Sequence, residues 1–511
     1  MVGLVNTILD MNELLFYYIS ILVIGIYSVA LLLIFFYSLT QANLLWHYVK
    51  SQKITLTSDV WDTNKLDELP KVTVQLPLYN ELYVVERLLD AIKKLKYPKE
   101  LLQIQVLDDS TDESLALTKK IITTLQSDGI PIELVTRPTR EGFKAGALKY
   151  GLDSATGEFI AIFDADFIPQ PDWLLLTVPY FKDEKVGVVQ TRWGHLNKDY
   201  SLLTKVQAFA LDAHFTLEQV GRNVQNHFIN FNGTAGLWRK ECIFDAGNWE
   251  GDTLTEDLDL SYRAQLKHWK FKYLENVITP AELPVVISAI RSQQFRWNKG
   301  GAENFQKMIG RVWGAKDIPL ATKIQATLHL LNSSMFLNVF IVAILSIPML
   351  YIKATWGHLS WYFNLSAFFI VSTLIFFVCY WFIHKKEHGS GFKSFFFYCK
   401  RFLQFYTIAM GFSVHNSIAV LEGHARKRSA FIRTPKFNIQ NLNDSWKGNK
   451  YLPKKISFNT IIEGLFTLYF LFGMWSAFTV GEEGDFGLFP FHLLLFVGFG
   501  FVTIQSLTSE Y

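Results

Sequence analysis

Three groups of carboxylates in the first half of the chain have spacings that suit metal and phosphate chemistry. Asp108-Asp109-Ser110 and Asp164-Ala165-Asp166 each follow a short apolar run, and Thr255-Glu256-Asp257 precedes a helix expected to begin near Leu258. A single carboxylate at a strand end commonly caps a helix or starts a turn. The Asp-x-Asp pair is more specific, because two carboxylates on one turn can converge on a divalent cation that also binds phosphate oxygens. This pair predicts a donor whose diphosphate leaving group must be neutralised.

Two further motifs could complete such a site with cations and an indole. Lys144 stands in Gly142–Leu148 at a predicted helix start, where an ammonium can bind phosphate, although a solvated lysine would look the same. Gln293-Gln294-Phe295-Arg296-Trp297 combines a cation for a diphosphate with an indole that suits the face of a sugar. An aromatic and basic membrane anchor would carry similar residues. Each motif by itself is weak evidence for a phosphate or sugar site.

The elements that must position these residues lie in a polar block, residues 49–323. Its β-branched runs of strand length are Lys71–Leu76, Gln103–Leu107, Ile132–Thr136 and Phe159–Phe163. The helical patterns between and after them are Glu81–Leu95, Glu113–Gln126, Lys144–Leu152 and Pro171–Phe181. This alternation predicts a parallel sheet with helices on both faces. Because ligands bind beyond the carboxyl ends of such strands, the clusters at 108–110 and 164–166 are expected in one site.

The apolar excess of the chain lies outside this block. The 511 residues are 50% hydrophobic and 19% charged, whereas soluble chains carry about 25% charged residues. Five segments are long enough to cross a bilayer as helices, namely Leu14–Leu39, Ile324–Ile352, Trp361–Ile383, Ser457–Val480 and Phe486–Leu507. We expect the first to be an uncleaved anchor, because its apolar core is too long for a signal peptide. A net charge of +3 argues against a nucleic-acid partner, and three cysteines argue against a disulfide framework.

Loop charges predict the topology of these crossings. Between His384 and Lys455 there are 14 lysines and arginines but only 3 acids, which places this stretch in the cytoplasm. A sixth apolar stretch, Phe402–Leu421, would put its two basic flanks on opposite sides if it crossed. We therefore favour an interfacial helix and five crossings, with the N-terminus outside and the C-terminus in the cytoplasm; six crossings stay open. The sequence does not distinguish a bacterial inner membrane from a Golgi or plasma membrane.

Taken in order, the chemical motifs resemble the signature of the family 2, inverting glycosyltransferases of the cellulose-synthase type. The D, D, D and QxxRW elements of that signature correspond to residues 108–110, 164–166, 255–257 and 293–297. The similarity extends to Leu76–Glu81 and Phe231–Gly236, and it covers residues 70–315 strongly. Within the family, the sequences of these motifs look most similar to those of plant glucomannan synthases and of synthases of the glucan backbone of xyloglucan.

A further similarity lies in the membrane half of the chain. Phe431–Lys436 resembles the F-x-V-T-x-K gating loop of cellulose synthases, with Arg433 where that pattern has valine. The resemblance implies a GT-A-like catalytic domain, with a Rossmann-like parallel or mixed sheet, inserted into an α-helical transmembrane bundle. The expected divisions are 1–48 (anchor), 49–323 (cytoplasmic catalytic domain), 324–383 (two crossings), 384–455 (interfacial helix and gating-like loop) and 456–511 (two crossings and the C-terminus).

The resemblance also implies a role for each matching residue. Asp257 would be the general base that deprotonates the acceptor hydroxyl, and Trp297 would stack on the acceptor sugar. The residues expected to bind the nucleotide and diphosphate are Tyr79, Asn80, Asp108, Asp109, Lys144, Asp164, Gln293 and Arg296. Asp164 and Asp166 would also bind Mg²⁺ or Mn²⁺. Further substrate contacts are expected from Glu256, Phe431, Thr434 and Lys436.

Three functional hypotheses follow. The first is a processive synthase that makes and extrudes a β-1,4-linked mannan or glucan from GDP-mannose or UDP-glucose. The second is a transferase that adds one sugar to a lipid acceptor, similar to ceramide or diacylglycerol glucosyltransferases; the gating-like loop and the four later crossings argue against it. The third, a transporter or receptor, leaves the four ordered motifs unexplained. Neither the choice between the two donors nor a need for accessory subunits can be decided from the residues.

Overall fold

The computed structural model describes residues 2–52, 69–452, 457–481 and 484–509. The strands are β1 (Val72–Leu78), β2 (Leu102–Asp108), β3 (Ile132–Val135), β4 (Phe159–Ile162), β5 (Val186–His195), β6 (Gly236–Arg239) and β7 (Lys270–Ala281). The first helices are α1 (Val2–Ser51), α2 (Val85–Ile92), α3 (Ser114–Ser127), α4 (Phe143–Leu152), α5 (Trp173–Thr177), α6 (Leu202–Ala213), α7 (Gln219–Asn223), α8 (Lys240–Asp245), α9 (Glu256–Leu266) and α10 (Ile287–Gly314). The later helices are α11 (Leu320–Leu330), α12 (Ser334–Thr355), α13 (Ser360–Ser366), α14 (Ile370–His388), α15 (Phe392–Gly411), α16 (Ser413–His424), α17 (Phe458–Thr479) and α18 (Phe489–Ser509).

The strands form one sheet in the order β3-β2-β1-β4-β6-β5-β7. β1 to β4 pair in parallel, and β5 pairs in parallel with β7. β6 runs antiparallel to both β4 and β5, with Gly236 opposite Ile162. The expected parallel sheet is therefore confirmed for the four predicted strands, β1 to β4, and β6, which was not predicted, makes the whole sheet mixed. β6 begins beside the carboxyl end of β4, with its first residue, Gly236, opposite the last residue of β4. β6 therefore runs in the direction opposite to β4, and the sheet is mixed.

Helices cover both faces of this sheet, as the alternation of strands and helices predicts. Alternate residues of β4 face opposite sides: Phe159 and Ala161 pack in a core with α2, α3 and α5, whereas Ile160 and Ile162 pack in a second core with α4, α8 and α9. All four are fully buried. A strand buried on both faces needs apolar residues at every position, which explains the continuous run Phe159–Phe163.

The predicted helix bounds are close to those of the structure at α3 and α4, within one residue at each end. Two predictions were too long. The segment predicted from Glu81 becomes helical only in α2, because Glu81 first accepts backbone hydrogen bonds from Val84 and Val85 in a turn. The segment predicted to end at Phe181 is α-helical only in α5 and continues as a 3-10 turn around Pro179, which lacks the backbone donor for an α-helix.

The chain divides into two compact units. One consists of the described residues of Asn43–Leu331 and Glu422–Leu452, so it combines the sheet domain with the segment that carries the gating-like motif. The other consists of the described residues of Met1–Ala42, Asn332–Leu421 and Pro453–Tyr511. The domain divisions expected after residues 48, 323, 383 and 455 stay predictions. The units nevertheless show that residues 422–452 pack with the sheet domain, although they are separated from it in sequence.

Five helical segments of the described chain are long and apolar enough to cross a membrane. They are Glu13–Ser51, Ser334–Thr355, Gly357–His388, Phe458–Thr479 and Phe489–Thr508. These overlap the five predicted segments, which supports assignment as a membrane protein. The predicted span Ile324–Ile352 is interrupted between α11 and α12, so its apolar core is confined to α12. The stretch Phe402–Leu421 is helical in α15 and α16, and its interfacial position stays a prediction.

Candidate active site

The carboxyl ends of three neighbouring strands bring the first predicted site residues together. Tyr79 follows β1, Asp109 follows β2 and Asp164 lies two residues after β4. Since β1 stands between β2 and β4, the order along the sheet edge is Asp109, Tyr79, Asp164. One cleft contains all three side chains, in agreement with the rule that α/β sheets bind ligands at this edge.

The same cleft is lined by most of the predicted site residues. They are Tyr79, Asp109, Lys144, Asp164, Asp166, Glu256, Asp257, Gln293, Arg296, Trp297, Phe431, Thr434 and Lys436. The sheet edge, α4, α9, α10 and the segment after α16 each contribute, so residues from five parts of the sequence converge on one volume. Asn80 and Asp108 are not among the lining residues.

Lys144 and Asp164 form the centre of the cleft. The Lys144 ammonium, in the first turn of α4, donates to Asp164 Oδ1 at 2.5 Å and to the Gly233 carbonyl at 2.9 Å. The Asp164 backbone N–H donates to the Thr234 hydroxyl at 2.8 Å, which fixes the turn after β4. Burial opposes the charge of Lys144, but the carboxylates of Asp164 and Glu256 outweigh it and raise the pKa of Lys144. A cation is thus fixed beside the predicted metal ligand.

Asp257 lies in the first turn of α9, next to Glu256. Burial, and secondarily the charge of Glu256, raises the pKa of the Asp257 carboxyl to about 7, although Lys144 opposes the shift. Burial also raises the pKa of Glu256. Asp257 Oδ2 lies 3.0 Å from the position that a Cβ on Gly233 would occupy, so the carboxylate sits against the Gly233 backbone. A raised carboxyl pKa in a cleft is typical of a general base that works near neutral pH.

α10 brings the QxxRW residues to the opposite wall of the cleft. The Arg296 Nη2 donates to the Thr434 hydroxyl at 2.8 Å, and its guanidinium lies 4.9 Å from the centre of the Phe431 ring. Arg296 Nε is buried without a hydrogen-bond partner among the described residues. A buried, unpaired guanidinium N–H is costly unless a ligand completes it, and a diphosphate oxygen is a suitable acceptor.

The segment with the gating-like motif packs directly onto the sheet domain. Lys436 Nζ donates to Asp166 Oδ2 at 2.6 Å, and Phe431 stacks on Phe143 with ring centres 5.4 Å apart. Arg433 Nη1 lies 2.6 Å from Glu81 Oε2. This segment therefore supplies a cation to one of the predicted metal ligands.

The two predicted residues outside the cleft stabilise the turn beneath it. Asp108 is buried at the end of β2 and accepts from the Ser110 N–H at 2.8 Å, while the Asn80 N–H donates to the Ser110 hydroxyl at 2.7 Å. Asn80 Oδ1 also accepts from the Thr111 N–H. Their direct contact with a nucleoside stays a prediction, because these bonds are internal to the protein.

Several residues in the cleft or beside it were not predicted as site residues. Arg140 lies over the Tyr79 ring with its guanidinium carbon 3.4 Å from the ring centre, and Arg137 pairs with both Asp109 oxygens at 2.9 and 2.5 Å. Two arginines shortly before a predicted helix start were a usable signal for an anion site. Trp193 of β5 also lines the cleft, but β5 itself was not predicted, so no local pattern pointed to it.

The residues of the cleft fit a divalent cation. Asp164 and Asp166 both line the cleft and offer carboxylate oxygens, the ligands that Mg²⁺ and Mn²⁺ prefer. A different acid cluster, Glu250, Asp252 and Asp259, also has metal-ligand spacing. Lys307 Nζ fills that cluster with contacts of 2.7, 2.7 and 2.9 Å, so it is an internal ion-pair network.

Comparisons with known proteins show which family the sheet domain resembles. Residues 70–300 match the family model described as glycosyltransferase like family 2. A probable glucomannan 4-beta-mannosyltransferase 7 of Oryza sativa subsp. japonica is 46% identical over 261 residues, which is 50% of this chain and 45% of the rice protein. Glucomannan 4-beta-mannosyltransferase 9 of Arabidopsis thaliana is 41% identical over 260 residues, 50% of this chain and 49% of that protein. The chain spans about half the length of these curated relatives.

A solved structure shares the fold. The mannosyltransferase PcManGT of Pyrobaculum calidifontis, in complex with GDP-Man and Mn²⁺, aligns over 78% of this chain and 99% of its own, with a TM-score of 0.51 and 19% identity. The resemblance to family 2 glycosyltransferases and the GT-A-like fold class are thereby confirmed. Residues 70–300 match the family 2 glycosyltransferase model, and the described part of the chain also contains five helical segments apolar enough to cross a membrane.

Proposed function

We propose that the chain is a membrane-bound, processive β-mannan synthase that transfers mannose from GDP-mannose to the 4-hydroxyl of a growing glycan. One observation carries the proposal: the carboxylate of Asp257, the Lys144 and Arg296 cations and the Trp297 indole line a single cleft in a family 2 domain. The names of the curated relatives support mannose and the β-1,4 linkage. The Pyrobaculum calidifontis enzyme of the same fold was solved with GDP-Man, the donor that we propose here.

The proposed reaction is a single in-line displacement. Asp257 accepts the proton of the acceptor hydroxyl as that oxygen attacks the anomeric carbon from the face opposite the leaving diphosphate. The α-linked donor thus becomes a β-linked product, and no covalent intermediate on the enzyme is needed. Lys144 and Arg296 stabilise the charge that develops on the leaving diphosphate, and Trp297 positions the acceptor sugar. When bound, Mg²⁺ or Mn²⁺ at Asp164 and Asp166 would neutralise further diphosphate charge.

The experiment that tests the activity uses membranes that contain the protein, labelled GDP-mannose or UDP-glucose in separate incubations, and Mn²⁺. We expect a polymer from GDP-mannose that a β-1,4-mannanase digests. Asp257→Asn should abolish transfer while the protein still binds nucleotide, and Asp153→Asn, an exposed carboxylate after α4, should leave transfer unchanged. A product with one sugar on a lipid would contradict the processive synthase and favour the lipid-glycosylating alternative.

We also propose that the sheet domain is cytoplasmic and that the apolar helices cross the membrane five times, with the growing glycan passing through the helical part. The 14 basic residues against 3 acids in residues 384–455 support the cytoplasmic side. A topology reporter fused after Gly423 should report the cytoplasm. A signal from the opposite side would mean that the chain crosses in α15 and α16, which would give six crossings.

A further inference from the structure

The cleft has one end that the chemistry of transfer does not use. The acceptor side is marked by Asp257 and Trp297, and the diphosphate side by Lys144 and Asp164. Along the sheet edge, Tyr79 and Asp109 lie beyond Asp164 on the side away from β6. A sugar nucleotide that places its diphosphate at the centre must therefore place its base near these two residues.

Arg140 is the cation at this end of the cleft. Its guanidinium carbon lies over the Tyr79 ring, 3.4 Å from the ring centre, and 5.0 Å from the centre of the Phe143 ring. Arg140 lines the cleft, and within the described part of the chain its N–H groups have no hydrogen-bond or ion-pair partner. The ring contact positions the guanidinium plane without using any of its donors.

Arg137 explains why Arg140 is held there. The Arg137 side chain is only 8% exposed; it donates to both oxygens of Asp109 and also to the carbonyls of Glu141 and Phe143. These bonds fix the turn that runs from Arg137 to the start of α4, and Arg140 lies within that turn. Both Asp109 oxygens already accept from Arg137, whereas the N–H donors of Arg140 at this end of the cleft are available to a ligand.

We propose that Arg140 recognises guanine by donating two hydrogen bonds to its O6 and N7 atoms, and that this contact selects GDP-linked over UDP-linked donors. The inference rests on the proposed function, since it concerns the donor of the same cleft. Guanine presents O6 and N7 as adjacent acceptors that match the two parallel N–H groups of a guanidinium. Uracil presents O4 beside a C5–H group, so it can accept only one such bond.

The test compares nucleotide affinities, so it has a readout besides activity. Dissociation constants of GDP and UDP are measured with the purified protein in excess Mn²⁺, for the natural chain and for Arg140→Ala and Arg140→Lys. We expect the natural chain to prefer GDP, and both variants to lose roughly 5- to 150-fold in GDP affinity while UDP changes much less. Lys keeps the charge but lacks the paired donors, so it should not restore the preference. Lys149→Ala, an exposed cation on the same helix as Lys144, is the matched control and should leave both affinities unchanged.

A modified nucleotide isolates the proposed bond. In 7-deaza-GDP a C–H group replaces N7, so the natural chain should bind it several-fold more weakly than GDP, whereas Arg140→Ala should bind the two equally. Equal losses of GDP and UDP affinity in Arg140→Ala would overturn the inference, because Arg140 would then act only as a general cation. A natural chain that prefers UDP would also overturn it while leaving a glycosyltransferase in place. Absence of any nucleotide binding by the natural chain would instead contradict the proposed function itself.

Discussion

Gly233→Ala is the substitution that tests most directly whether the placement of Asp257 controls the rate. Gly233 has φ +79, in the left-handed region, and its carbonyl accepts the Lys144 ammonium. A Cβ at this position would lie 3.0 Å from Asp257 Oδ2 and 3.5 Å from Lys144 Nζ. The added methyl group therefore strains the backbone and pushes against the proposed base at the same time.

The backbone strain should lower the folding stability, whereas the contact with Asp257 should lower kcat. A left-handed conformation costs a residue other than glycine about 1–2 kcal/mol of folding stability. The contact with Asp257 is a few tenths of an ångström too short, so the carboxylate must move by about that amount. Since a misplacement of about 1 Å can cost about 100-fold in rate, we expect kcat to fall on the order of tenfold.

Gly129→Ala provides a matched control. Gly129 has φ +72, and a Cβ there would meet Lys99 Nζ at 3.8 Å and no cleft residue within 4 Å. Both variants should lower the thermal midpoint similarly, but only Gly233→Ala should lower kcat per folded molecule. The assay combines thermal unfolding of the purified protein with initial rates of labelled mannose transfer at saturating donor. Equal kcat values for the two variants would refute the claim that Asp257 must be held in place for transfer.

Three further predictions concern ionisable groups of the cleft. Because burial raises the pKa of Asp257 to about 7 and a base must be deprotonated to act, kcat/KM should fall about tenfold for each pH unit below about 7; a pH profile measures this. Lys436→Met removes the ammonium 2.6 Å from Asp166, so Mn²⁺ affinity without nucleotide should rise about tenfold in an electron paramagnetic resonance titration. Arg433→Val should leave the Glu81 carboxylate buried and unpaired, and so speed proteolysis of residues 426–452. The double variant Arg433→Val, Glu81→Gln should recover much of the lost resistance, which corresponds to an interaction energy of about 1–3 kcal/mol between the two substitutions.

Controls for these predictions come from the same part of the chain. Lys450 pairs with Asp112 at 2.8 Å and Glu113 at 2.6 Å outside the cleft, so Lys450→Met should leave Mn²⁺ affinity unchanged. A kcat/KM that stays constant down to about pH 5 would mean that a carboxyl of ordinary pKa, and not Asp257, limits the reaction. If the Arg433→Val single variant resisted protease as well as the natural chain, the ion pair with Glu81 would not hold the segment.

The parts of the fold that the sequence predicted are those with strong local patterns. β1 to β4 are β-branched runs beside turns, and the Asp-x-Asp pair follows a strand that is apolar at every position, so both could be recognised from neighbouring residues alone. β7 could not be recognised in this way. Its segment Lys270–Ala281 alternates irregularly between buried and exposed positions, because β5 is its one partner strand among the described residues and the register between the two strands shifts. Its structure depends on a partner about 80 residues away in sequence.

The same distinction applies to the site. Motif order predicted that residues near 108, 164, 257 and 296 would meet, and the structure places all four regions around one cleft or directly beneath it. The order of the motifs did not predict which side chains pair with one another in the site. Arg433 pairs with Glu81 across 352 residues of sequence, and the valine of the family pattern gave no reason to expect an ion pair there. Burial raises the pKa of Glu81 to about 7 even with Arg433 beside it, so the substitution brings a cation to an acid that is costly to bury alone.

The two lysines bound to the Asp-x-Asp pair change how metal binding at this site must be understood. Lys144 and Lys436 each donate to one of the two carboxylates at 2.5 and 2.6 Å, and one lysine comes from α4 while the other comes from the segment after α16. A divalent cation that took Asp166 Oδ2 as a ligand would displace the Lys436 ammonium. Such a displacement would link the metal affinity of the site to whether the segment after α16 is attached to the sheet domain. Because the linkage is reciprocal, the attached segment weakens metal binding by the same factor by which the bound metal weakens attachment of the segment. Lys144 has a second acceptor in the Gly233 carbonyl and can stay in the cleft, so the coupling falls mainly on Lys436.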